Sequence, residues 1–90
     1  MKRLFALEPL HVGEVREIRI SDDLGAILNP EYITLNRRGE TVKPATPATL
    51  EGQIMSAAFE ATETGIFTVR FSYEIGAELF FAEVAVEVTA

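Results

Sequence analysis

Ninety residues suffice for one domain, and residues 1–90 are read here as one. The chain has no cysteine and a single histidine, so neither a disulfide framework nor a Cys/His zinc site can hold it together. Fourteen acidic residues against eight basic ones leave a net charge of −6. Such a chain repels phosphate, which argues against nucleic acid and against an anionic membrane surface as partners.

The chain opens Met1-Lys2-Arg3-Leu4-Phe5-Ala6-Leu7-Glu8-Pro9. The apolar stretch ends at Glu8, short of the about 7–15 residues of a signal-peptide core. No run approaches the about 20 apolar residues of a membrane helix. A product made in the cytoplasm is therefore expected. The segment Leu4 to Leu10 is apolar but interrupted by Pro9, and residues 1–10 read as an edge strand or as an arm that pairs with a neighbour.

No segment carries apolar residues at helical spacing for three turns, whereas short runs of period two recur between turn residues. Glu14 to Ile20 puts Ile18 and Ile20 on one face, opposite Glu17 and Arg19. A turn follows at Asp22-Asp23-Leu24-Gly25. Tyr32 to Arg37 alternates Ile33 and Leu35, taken as the core side, with Thr34 and Asn36. Arg37-Arg38-Gly39-Glu40 reads as a hairpin turn into a short strand at Thr41 to Lys43. Pro44 to Pro47 should leave the sheet, since proline donates no ladder hydrogen bond, and should carry the chain to a second sheet. Met55, Ala57 and Phe59 then alternate with Ser56, Ala58 and Glu60.

The last third is the most regular. Phe67, Val69, Phe71 and Tyr73 alternate with Thr68, Arg70, Ser72 and Glu74. After a turn near Gly76, Phe80, Ala82, Val84, Val86 and Val88 share a face, and Glu83, Ala85 and Glu87 lie on the wet one. These two runs predict an antiparallel hairpin. The whole predicts an all-β protein, two antiparallel sheets of about seven strands packed as a sandwich.

The run Glu63-Thr64-Gly65-Ile66-Phe67-Thr68-Val69 resembles the corner of immunoglobulin-like domains, Asp-x-Gly-x-Tyr-x-Cys, with Glu63, Gly65, Phe67 and Val69 at the four positions. Phe67 lacks the hydroxyl that the family's tyrosine bonds to upstream backbone, and the disulfide and its Trp are missing. The layout of residues 12 to 89 is similar to cysteine-free bacterial and phage sandwich modules and to filamin-type repeats. That resemblance implies a non-enzymatic module acting through protein–protein contacts, in a phage or prophage tail, neck or head protein. Virion parts are assembled where they are made, so the lack of an export signal suits that reading.

Sites of chemistry are sparse. A triad needs a base beside a nucleophile. His11 stands in no motif, and the nearest hydroxyl in sequence is Ser21, so His11 reads as a surface or edge histidine. The acids Glu17, Glu60, Glu74, Glu83 and Glu87 fall on polar strand faces. The alternative function is a calcium- or small-ligand-binding accessory domain, with Asp22 and Asp23 as weak metal candidates. Calcium wants roughly six to eight oxygens, and no spaced Asp series supplies them. No cofactor is expected. Arg37, Arg38 and Lys43 form a basic spot that could dock a carboxylate-rich surface.

Phe80 and Phe81 must point to opposite faces. If Phe80 is core, Phe81 and Leu79 lie outside, and Tyr32 raises the same question opposite Ile33. Two readings stay open. Either Leu79, Phe81 and Tyr32, with Leu4, Phe5 and Leu7 of the N-terminal arm, form an interface to a protein partner or a second copy, or that arm covers the outer face.

Overall fold

The computed structural model describes residues 8–90 in full and the backbone of residues 2–5. Among these are nine strands and no helix: β1 (Lys2–Phe5), β2 (Leu10–His11), β3 (Val15–Ser21), β4 (Ile27–Leu35), β5 (Thr41–Pro47), β6 (Thr49–Glu51), β7 (Ile54–Glu60), β8 (Gly65–Ile75) and β9 (Glu78–Thr89). They form two sheets. The larger runs β1-β9-β8-β4-β5, with β2 also on the free edge of β9, and the smaller runs β3-β7-β6. The fold is all-β and consistent with a β-sandwich, as expected.

Its spine is the β8–β9 hairpin, paired without a break from Gly65↔Val88 to Ile75↔Glu78. The two-residue turn Gly76-Ala77 closes it, and Gly76 adopts φ +62°, the left-handed geometry such turns need. Period two holds along both strands, so Phe67, Val69, Phe71, Tyr73, Ala82, Val84, Val86 and Val88 all enter the core. Ile18, Ile20, Met55, Ala57 and Phe59 of the smaller sheet meet them. Leu10, fully buried, is a core residue the alternation did not reveal, because β2 is only two residues long.

Four sequence readings need correction. The first concerns β4. Ile27 faces inward opposite Ile75, and Tyr32 faces inward opposite Phe71. Six residues of β4, 27–32, thus face five of β8, 71–75, so one is bulged out at Asn29-Pro30, where Asn29 adopts φ +50°. The bulge inverts the alternation beyond it. Tyr32 and Thr34 are core, 4% exposed each, while Ile33 takes the outer face opposite Arg70, and Leu35, paired with Thr68, is still buried at 8% exposure. Tyr32 is therefore no part of an exposed interface.

The second correction is that Pro44 to Pro47 stay in the sheet. They lie in β5, an edge strand, where a missing donor costs little. The crossing to the smaller sheet comes directly after, at Ala48, whose N–H donates to Pro30 O at 2.9 Å. The third is that Glu83 and Ala85 are buried, not wet, at 7% and 4% exposure. The segment β1 runs parallel to β9 with Arg3 opposite Glu83 and Phe5 opposite Ala85. It makes β9 an interior strand, with neighbours on both sides. The fourth follows from the same pairing: the larger sheet is mixed, since β1 and β2 both run parallel to β9.

Candidate functional site

The register places the outer face of the larger sheet in rows. Nearest the hairpin turn, Leu28, Glu74 and Leu79 lie side by side on β4, β8 and β9. The next row is Glu31, Ser72 and Phe81, and the one after is Ile33, Arg70 and Glu83. Strands about 4.8 Å apart put Leu28 and Leu79 within about 10 Å of each other, with Phe81 about 7 Å further along β9. Leu28, Leu79 and Phe81 are 53%, 60% and 41% exposed. Three large apolar side chains thus share one end of one face.

The sequence expectation had assembled Leu79 and Phe81, and the structure keeps them together. It adds Leu28, which was missed because the strand was taken to begin at Tyr32, beyond the bulge. The pair Asn29-Pro30 inside an apolar run was the available signal. Leu4 and Phe5 lie in β1, beside β9 at the positions of Val84 and Ala85, so their backbone extends the sheet edge. Leu7 lies outside the described residues.

Polar groups frame the patch. Glu74 accepts a hydrogen bond from Asn29 Nδ2 at 2.9 Å, which holds its carboxylate toward β4. Glu31 and Glu78 are exposed and form no ion pair among the described residues. One row inward, Arg70 donates to Glu83 through Nε at 2.9 Å and Nη2 at 2.8 Å, so the charge of Arg70 is met within the chain.

The Asp22 loop has a structural use. Asp22 Oδ2 accepts from the Tyr73 hydroxyl at 2.7 Å, and Oδ1 from Leu24 N–H at 3.0 Å. Gln53 Nε2 donates to Asp22 O and Gly25 O at 2.7 and 2.6 Å, which ties the loop to the β6–β7 turn. Burial and then the Asp22 carboxylate push the Tyr73 hydroxyl up to about 12. Both Asp22 oxygens are thus engaged, and no group of three or more metal-ligating side chains converges among the described residues.

His11 lies on the exposed side of β2, its Nδ1 3.3 Å from Ala90 O and from Thr89 Oγ1. Ser21 is at the opposite end of β3. A cleft of about 260 Å³ opens between the sheets beside β5, floored by Phe59 and Phe67 and rimmed by Lys43, Glu60 and Glu63. Lys43 is turned away toward Tyr32, whose hydroxyl accepts from Nζ at 2.8 Å, so the basic spot at Arg37 and Arg38 does not include a free Lys43. No helix among the described residues is long and apolar enough to cross a membrane. Comparison with known proteins finds no matching family model, no matching curated protein and no matching solved structure.

Proposed function

We propose that this chain is a non-enzymatic interaction module, an immunoglobulin-like sandwich that docks another protein through the hairpin end of its larger sheet. The carrying observation is the exposed triad Leu28, Leu79 and Phe81 on one face. Exposed apolar side chains gathered on one face and rimmed by polar groups are what a protein contact surface requires.

The immunoglobulin-like part of the reading is supported by connectivity. The orders β3-β7-β6 and β9-β8-β4-β5 correspond to strands B-E-D and G-F-C-C′ of that family, in the same chain order. The corner also fits in shape. Gly65 takes φ +135° at the entry to β8, and Phe67 packs on Phe59 with ring centroids 5.7 Å apart. Phe67 thus fills by packing the place that the family's tyrosine fills with a hydrogen bond. Membership of a phage or prophage particle is carried by the resemblance to cysteine-free phage modules.

A photo-crosslinking amino acid placed at Phe81, and separately at Val15 on the far sheet, tests the docking reading in the producing cell. A discrete adduct from position 81 and none from position 15 is the expected result. Its mass distinguishes a second copy of 9.9 kDa from a different protein. No adduct from position 81, or the same adducts from both, overturns the reading.

A further inference from the structure

We infer that the partner of this face is a different protein presenting lysine or arginine around an apolar centre, and not a second copy of this chain. The inference rests on the docking role proposed above and adds the chemistry of the occupant. Every charged described side chain in the two rows nearest the hairpin turn is acidic: Glu31 and Glu74 on the face itself and Glu78 at the foot of the turn. Glu17 and Glu83 find basic partners within the chain, Arg19 and Arg70. Glu31, Glu74 and Glu78 do not. Glu74 takes only the neutral Asn29 amide, and Glu31 and Glu78 take neither hydrogen bond nor ion pair among the described residues.

The Asn29 bond matters for placement. The positive φ of Asn29 and the bulge beside it put its amide beside Glu74, so a carboxylate is held in the row between Leu28 and Leu79. A group fixed before binding loses little freedom on binding. Arg70, the nearest described cation on the face, is already spent on Glu83.

A self-contact through this patch would bring its own acids together. A two-fold interface apposes the same surface of each copy, so Glu31, Glu74 and Glu78 would meet the acidic rim of the other copy. Like charges so placed disfavour a partner, and opposite charges favour it. The chain's net charge of −6 adds to the repulsion. A cationic face with an apolar centre meets the same triad while neutralising the rim.

The test uses the full chain, a synthetic lysine–leucine amphipathic peptide and its glutamate–leucine counterpart as probes. Titration is followed by backbone NMR shifts and by peptide fluorescence anisotropy. The lysine peptide should shift the amides of Leu28, Glu74, Leu79 and Phe81, and the glutamate peptide should not. The triple variant E31Q/E74Q/E78Q should weaken binding by about tenfold or more, while E60Q/E63Q/E87Q, with the same change in charge, should weaken it by less than about twofold. Phe81→Ser should also weaken it about tenfold.

Equal losses from the two triple variants would reduce the effect to general attraction to an acidic protein and overturn the inference. Concentration-dependent dimerisation in light scattering, abolished by Phe81→Ser, would overturn the inference and leave the docking role standing. Absence of both peptide binding and crosslinking at position 81 would remove the two together.

Discussion

Tyr73 is 3% exposed, yet its hydroxyl reaches Asp22 at the surface loop. Its folded pKa is raised to about 12 from an ordinary value of 10.0. The protonated form is the one the fold favours, so this stabilisation is complete below pH 10 and fades as pH climbs toward 12. Tyr73→Phe should lower stability at pH 7 by about 1 kcal/mol, the net worth of one such hydrogen bond. It should also flatten the decline in urea midpoint between pH 10 and 12; an unchanged decline would place the alkaline sensitivity elsewhere. Arg70→Ala removes two contacts to the 8%-exposed Glu83 side chain. Loss of charged bonds to a covered carboxylate should cost about 2–3 kcal/mol in chemical denaturation. The Glu17–Arg19 pair at 2.7 Å is also short, but both side chains are more than half exposed. Glu17→Gln should leave the unfolding midpoint almost unchanged. Cross-strand salt links of this kind were not legible in sequence, because Arg70 and Glu83 lie thirteen positions apart and meet only through the hairpin register.

At the scale of strands, legibility follows regularity of the ladder. The β8–β9 hairpin is unbroken over eleven pairs, so its alternation in the sequence is its alternation in space. The two halves of β4 are separated by a bulge, and one inserted residue exchanges inside for outside. The sequence of Tyr32 to Leu35 does not by itself decide which parity faces the core, since Tyr32 and Ile33 both suit one. Only the chain before it, through Ile27, decides the side, and the shift occurs at Asn29-Pro30. Asn29 holds a left-handed φ that glycine adopts freely and β-branched residues resist. Asn29→Gly should therefore fold with near-native stability, whereas Asn29→Val should lose about 1–2 kcal/mol. Calorimetry on the pair checks this, and equal melting temperatures would deny the bulge its dependence on that conformation. The prolines of β5 were misjudged for a different reason: their cost depends on whether a strand is central or at an edge, and strand order is a property of the assembled sheets. The edge of β3 shows the same dependence. Arg16, opposite Phe59 on β7, sends its guanidinium to Glu8 O at 2.9 Å, which ties β3 to the segment leading into β2.

For the whole molecule, the two-sheet plan was legible from patterning alone, while the parallel seam of β1 and β2 along β9 was not. Parallel neighbours leave no turn in the sequence to announce them. A domain of this size has a small margin, of the order of 5 kcal/mol. Phe71, fully buried at the centre of the larger sheet, makes the point testable. Phe71→Ala should cost about 3–5 kcal/mol, enough to leave most molecules unfolded at 37 °C by circular dichroism. The molecule measures 41 × 22 × 19 Å, its long axis being several times the width of a strand pair. The direction of the β1 and β2 seam has a mechanical corollary. Lys2 pairs near the hairpin end of β9, at Ala82, and Thr89 ends β9 at the other extreme, so tension applied between Lys2 and Ala90 pulls β1 and β9 past each other lengthwise. The bonds of that seam would then share the load and have to rupture together instead of unzipping one by one. A module linked into a strained assembly through those two points would resist pulling far better than its modest thermodynamic margin suggests.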